Sequence, residues 1–253
     1  MARRATDASA RSVVAEMRSV ADPSRKPGMA RVGIVVDRAL GVSIPHLRRI
    51  ARAHRGDHAL ALDLWETEIH EARILASMVD DARRVTRAQM ETWVADVDSW
   101  DLCDQLCTNL FRSARSADAA ARAWARRDEE FVKRAAFSIV ATQAVHDRDR
   151  GDEYFEDWLP RIRRAATDER APVKKAVNWA LRQIGKRNLA LRDAAIAEAH
   201  GLLELDDRSA RWIARDALRE LRSPAVAERL GARARTRRGN GSRHASSTRG
   251  ASD

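Results

Sequence analysis

One period constrains this chain more than any other feature. Along nearly the whole body, apolar residues recur at i, i+3, i+4 and i+7, and no run sustains period-two alternation. The chain is therefore expected to be all-α. The period is also interrupted often. Helix-sized segments are expected over 29–40, 44–54, 59–65, 69–80, 87–97, 100–114, 118–126, 129–145, 153–166, 173–185, 189–203, 209–221 and 225–230. The breaks carry chemical punctuation. Ser43 with Pro45, Asp98 with Ser99, and Ser223 with Pro224 read as helix starts. Pro160 falls inside one segment and is expected to split or kink it.

A dozen short helices must share a core. Aromatics are only 5% of the 253 residues, too few for one deep centre. Short helices with short connections therefore read as stacked helix pairs, a HEAT-like helical-repeat solenoid (α-α superhelix). No strict internal identity is legible, so the repeat rests on helix spacing, and a compact irregular bundle is the alternative. The expected organisation is an N-terminal helix and linker over 1–28, a repeat domain over 29–230, and a disordered basic C-terminal tail over 231–253. That tail is Gly/Ser-rich, with six Arg and one Asp.

Several classes are excluded. The longest stretch without a charged side chain, Ala135–His146, has 12 residues, against about 20 for a membrane span. The opening MARRATDASARSVV lacks the apolar core of a secretory signal, so a cytoplasmic location and no membrane partner are expected. Cys103 and Cys107 are too few for a disulfide framework and have no partners for a zinc cluster, so no metal cluster is expected. Set four apart on a helix, they read as small core residues. His70-Glu71 is followed by Ile74 where a zinc protease helix needs a second His, and His54 and His58 straddle Gly56 and read as flanking a turn.

The net charge of +10 is a weak pointer to nucleic acid. Its placement is more informative. The tail carries +5 and the first 28 residues +3, leaving +2 for the body. Within that body, Glu91–Asp104 holds five acids and no base, and Arg170–Arg192 holds seven bases and no acid.

Each window contains a helix face unlike core. At about 100° per residue, Val173, Ala176, Val177, Ala180, Leu181 and Ile184 form one stripe. Trp179 stands well away from it, on a face shared with Lys175, Arg182 and Lys186. Two readings fit: an aromatic-plus-basic surface for a sugar–phosphate backbone, or a Trp packed on a neighbouring repeat under Lys and Arg stems. If a second helix starts after Ser99, its buried stripe is Leu102, Cys103, Leu106 and Leu110. Trp100 and Asp104 are then i, i+4 neighbours at its edge. There the carboxylate can stabilise a developing cation and the indole can offer a π-face; alternatively Asp104 pairs with Arg112 or another nearby Arg.

Six elements together resemble the AlkC/AlkD-like DNA alkylation repair family, HEAT-repeat alkylpurine DNA glycosylases. They are MAR at Met29–Arg31, LGVSIPHLRRIA at Leu40–Ala51, LALDLWETEIHEARILA at Leu60–Ala76, SWDLCD at Ser99–Asp104, FVKRAAF at Phe131–Phe137, and VKKAVNWALRQIGKRN at Val173–Asn188. The resemblance covers roughly residues 29–220. It implies that Asp104, Trp100 and Trp179 form a catalytic, lesion-facing set, with Arg134, Lys175, Arg182 and Lys186 holding DNA. It further implies action on double-stranded DNA that contains alkylated purines, releasing cationic N3- or N7-alkylated bases without a cofactor and without a base-flipping pocket; a monomer is the simplest expectation. A non-catalytic solenoid that binds bent or branched duplex is the alternative. Val32 stands where relatives can place a tyrosine after the MAR element.

Overall fold

The computed structural model describes residues 2–233 and 235. Among these residues every regular element is helical, and no helix is long and apolar enough to cross a membrane. Most of the expected tail lies outside the described residues. Its first part continues in helix, because the turn at Ser223-Pro224 opens a helical run over 224–233.

The chain divides into two compact units, 1–139 and 140–253, the boundary falling inside α9 (Glu130–His146). In the first unit, α1 (Ala2–Ser19) buries Ala10, Val13 and Met17 and packs on α4 (His58–Glu66). The N-terminal helix is thus part of this unit's core. Further along, α3 (Ile44–Ala53), α5 (His70–Val79) and α7 (Trp100–Asn109) pack successively, α3 on α5 and α5 on α7. Aromatics fill the gaps between helices. Trp65 and Trp93 of α6 (Arg87–Ala95) stack with centroids 4.2 Å apart, and Phe111 tilts against Trp124 of α8 (Ala117–Trp124) at 5.8 Å. Burying such rings contributes more per residue than any aliphatic of this core.

The expected helix over 29–40 does not form. The helix α2 is only Lys26–Arg31, followed by a turn with Gly33 at φ +83° and an irregular segment up to Ser43. The apolar pattern is present, but side chains from elsewhere take the backbone N–H groups that a helix would use. Val35 N–H donates to Ser99 Oγ at 3.0 Å, and Leu40 and Gly41 N–H donate to the buried Glu71 carboxylate at 2.7 and 2.6 Å. Gly41 also sits at φ +80°, with the Asp22 carbonyl 2.0 Å from where a Cβ would be, so no other residue fits.

In the second unit, α12 (Ala171–Gly185), α13 (Leu189–Leu203) and α14 (Arg208–Leu221) pack on one another. The expected stripe of α12, from Val173 to Ile184, is fully buried. The segment containing Pro160 is split as expected. It forms α10 (Asp152–Glu156) and α11 (Leu159–Ala165), with the proline in the first turn of α11, where its missing N–H costs nothing.

Candidate functional site

Helix α7 starts where the sequence places it, after Ser99. Ser99 does not cap through its side chain. Its hydroxyl instead accepts from Val35 N–H and donates to Asp98 at 2.9 Å, tying the irregular 32–43 segment to the helix start. Leu102, Cys103, Leu106 and Leu110 are buried as expected, and both thiols are enclosed, with Sγ 3.6 Å from the Phe131 and Ala135 carbonyls of α9. That leaves Trp100 and Asp104 on the edge of α7, half-buried.

Trp100 is held by its N–H, which donates to the Val32 carbonyl at 2.9 Å. The contact uses the backbone of Val32, so it does not depend on the side chain at that position. Asp104 is held from α9. Arg134 Nε reaches Oδ1 at 3.1 Å and a terminal guanidinium nitrogen reaches Oδ2 at 2.7 Å, while the Ser138 hydroxyl donates to Oδ1 at 2.9 Å. The Arg134 guanidinium carbon lies 5.9 Å from the Trp100 ring centroid. Trp100, Asp104, Arg134 and Ser138 therefore form one cluster within the first unit.

Exposure differs sharply across that pair. The Asp104 side chain keeps 21% of its surface and Arg134 only 5%. A phosphate contact by Arg134, implied by the resemblance, would require this side chain to leave its buried pairing with both Asp104 oxygens. Burial pushes the Asp104 carboxyl above the ordinary carboxylate range, and the Arg134 and Ser138 contacts pull only part of the way back. The nearby charge of Asp101 adds a small push in the same upward direction.

Trp179 belongs to the second unit. It is half-buried and off the α12 stripe, as expected. With the Gln183 amide oxygen facing its donors, it accepts from Trp179 Nε1 at 3.0 Å and from Lys186 Nζ at 3.2 Å. The cations of this face are largely used within the fold. Arg182 pairs with Glu220 at 2.9 Å and Asp216 at 3.4 Å, and Lys186 pairs with Glu220 at 2.6 Å, both acids coming from α14. Lys175 alone of the three is exposed and unpaired among the described residues.

Three more bases of this window are also held within the fold. Arg170 pairs with Asp168, Arg187 donates to the Ala144, Asp147 and Arg150 carbonyls, and Arg192 donates to the Leu221 carbonyl. Many of these positive charges are helix-joining contacts.

A family model for the DNA alkylation repair enzyme matches residues 13–221. The chain belongs to this family. The matched span contains both clusters, Trp100 with Asp104 and Arg134, and Trp179 with Arg182. It also starts inside α1, in keeping with the packing of that helix on α4. A search of curated proteins finds no match. Among solved structures, one described as "A new family of proteins related to the HEAT-like repeat DNA glycosylases with affinity for branched DNA structures" is similar over 83% of this chain and 94% of that chain, at 17% identity and a TM-score of 0.68. The likeness bears on fold and places this family member among the HEAT-like repeats. An engineered protein aligns with 14% identity over 85% of this chain and 91% of that chain, at a TM-score of 0.38, too low to carry any argument.

Sequence reasoning missed a third aromatic. Of the seven tryptophans, Trp65, Trp93, Trp124 and Trp158 are buried, which leaves Trp100, Trp179 and Trp212 with surface to offer. Trp212 is the most exposed at 41%. Its signal was available, since Arg208, Arg211, Arg215 and Arg219 flank it at helical spacing.

Proposed function

We propose that the chain is a monofunctional DNA glycosylase that hydrolyses the N-glycosidic bond of cationic N3- or N7-alkylated purines in double-stranded DNA. The observation that carries this reading is the partly open Asp104 carboxylate, fixed in orientation by two nitrogens of Arg134 beside the half-buried Trp100. Membership of the DNA alkylation repair enzyme family supports alkylated DNA as the substrate.

The chemistry asks little of the protein. An alkylated purine already carries a positive charge, so it departs with the electron pair of the C1′–N bond as a neutral base. Positive charge then develops on the deoxyribose, and a preorganised carboxylate is suited to stabilise it. Water bonds to C1′ and gives its proton to Asp104 or to solvent. An ionised carboxylate offers about four acceptor positions. Arg134 and Ser138 use three of those of Asp104, leaving capacity to orient that water. Trp100 stands one helical turn before the same carboxylate, its ring centroid 5.9 Å from the Arg134 guanidinium carbon, and its π-surface favours a cationic sugar. In this reading Trp179 gives a second aromatic contact and Lys175, Arg182 and Lys186 hold the backbone, Arg182 and Lys186 by exchanging Glu220 for phosphate.

A second reading is favoured by the same pair. A carboxylate already matched to a buried guanidinium also works as a structural tie between α7 and α9. The chain would then be a non-catalytic DNA binder, in line with the branched-DNA affinity of the similar solved protein. Incubating methylated duplex DNA with wild type and Asp104→Asn separates the two. Release of N7-methylguanine by wild type and its loss in the variant supports the glycosylase. Equal release by both, or none by either, overturns it.

A further inference from the structure

Helix α14 carries a surface that the reading above does not use. Arg208, Arg211, Trp212, Arg215 and Arg219 fall within an arc of about 100°, opposite the buried Ile213, Ala217 and Leu221 side. They run along about 16 Å of helix, and with Asp216 they line an open groove of about 490 Å³.

Two features separate this stripe from an ordinary solvated helix face. The first is the state of its charges. Arg208 and Arg215 are exposed and have no carboxylate partner among the described residues. Arg211 pairs only with Asp206, itself wholly in solvent, an arrangement worth little. Arg219 pairs with Asp216, which also accepts from Asn178 at 2.7 Å. On α12, by contrast, Glu220 and Asp216 occupy Arg182 and Lys186. The second feature is Trp212, which stands mid-stripe with 41% of its surface in water and with Lys174 Nζ 5.3 Å from the ring centroid.

We propose that this stripe binds a single-stranded stretch of DNA, the arginines following successive phosphates and Trp212 stacking on an unpaired base. A row of cations suits any DNA backbone, but an exposed aromatic among them favours one form. Bases in a duplex are stacked on each other and offer only their edges, whereas an unpaired base has a π-face free to cover an indole. The choice of DNA as the polymer rests on the function proposed above; the stripe does not depend on base release.

The test uses the full chain and a labelled single strand longer than the ~4–16 nucleotides such sites cover, with its matching duplex as the second probe. Fluorescence anisotropy is read for wild type, Trp212→Ala, Trp212→Phe and the double variant Arg208→Gln/Arg215→Gln. A stacked base predicts that Trp212→Ala weakens single-strand binding about tenfold and leaves duplex binding within about twofold. Trp212→Phe recovers most of the loss. The double arginine variant lowers the single-strand salt slope by about 1.4, at ~0.7 for each phosphate contact. Equal loss on both probes in Trp212→Ala, no loss on the single strand, or no single-strand binding by wild type overturns the proposal. Thermal melts confirm that the variants are folded, as expected at these exposed positions. Base release from methylated duplex is scored separately: if wild type releases none but the single-strand pattern holds, the glycosylase reading falls and the stripe stands.

Discussion

Arg134 grips Asp104 through two nitrogens, at 3.1 and 2.7 Å, and is itself almost wholly enclosed while the carboxylate keeps a fifth of its surface. The pair is lopsided, and that asymmetry predicts how each half fails. Arg134→Ala leaves a partly exposed carboxylate without its counter-charge, a change that costs on the order of 3 kcal/mol where both partners are buried. The partial exposure of Asp104 puts the expected loss nearer ~2 kcal/mol. Asp104→Asn keeps the shape but leaves the almost wholly enclosed Arg134 guanidinium without a counter-charge, so its expected stability cost is the larger, on the order of 3 kcal/mol, while base release falls by about 10²-fold or more. Urea unfolding midpoints check the first contrast. A larger stability loss in Arg134→Ala than in Asp104→Asn would contradict it.

Ser138 tunes the same carboxylate. Burial holds the Asp104 carboxyl above its ordinary value, and the Ser138 hydroxyl is one of the contacts that oppose this. If the ionised form does the work, base release declines on the acid side at a pH above the usual carboxylate range of ~4. Ser138→Ala removes a donor to the ionised form, so this acid limb moves further up in pH, with the plateau rate little changed. A limb that stays in place, or moves down, would separate Asp104 ionisation from the rate. The pH profile of N7-methylguanine release reads this directly.

How much of this was open to sequence reasoning depends on the range of each interaction. The start of α7 after Ser99, the buried faces of α7 and α12, and the split at Pro160 follow from local period and capping, and each formed. The 32–43 segment did not follow from local rules, because Ser99 and Glu71, 64 and about 30 residues away, satisfy its N–H groups. The Asp104–Arg134 pair is similar, with its partners 30 residues apart. Sequence windows also misjudged the availability of charge. The acid-free run of Arg170–Arg192 looks open until Asp216 and Glu220 arrive from α14. Those same two acids broke up the α14 sequence and hid its arginine face.

Gly185 lets α12 pack tightly against α13 and α14. A Cβ there would meet both Leu221 Cδ atoms at 2.8 Å and the Ala195 Cβ at 3.0 Å. The leucine tip has some room to turn, but Ala195 is short and fixed on α13. Gly185→Ala therefore overpacks the α12–α13–α14 contact, with an expected loss of about 1–3 kcal/mol, despite the gain in helix propensity of up to ~1 kcal/mol. Thermal unfolding checks it, and a raised midpoint would show that these helices have slack. Since Glu220 and Asp216 of α14 hold Arg182 and Lys186, a shifted α14 should also alter DNA binding at this face.

His70 makes stability depend on pH in the opposite direction to most acid-linked effects. The ring is buried and its Nε2 lies 2.9 Å from Asp101 Oδ2, while Asp101 Oδ1 is enclosed with no hydrogen-bond partner. Burial works against the imidazolium, but the hydrogen bond and charge of Asp101, with Glu71 and Asp98 adding theirs, outweigh it and hold His70 above its ordinary value. A base raised on folding stabilises the native state fully below its unfolded value of ~6.5, and that contribution is lost as pH rises through the folded value. Wild type should therefore lose stability relative to His70→Gln as pH rises from about 6 towards 8, whatever its absolute stability. Paired urea titrations across that interval measure the difference. A gap that stays constant would mean that folding leaves the titration of His70 unchanged, and one that widens with pH that His70 is held neutral in the folded protein, with Asp101 bound by a neutral N–H alone.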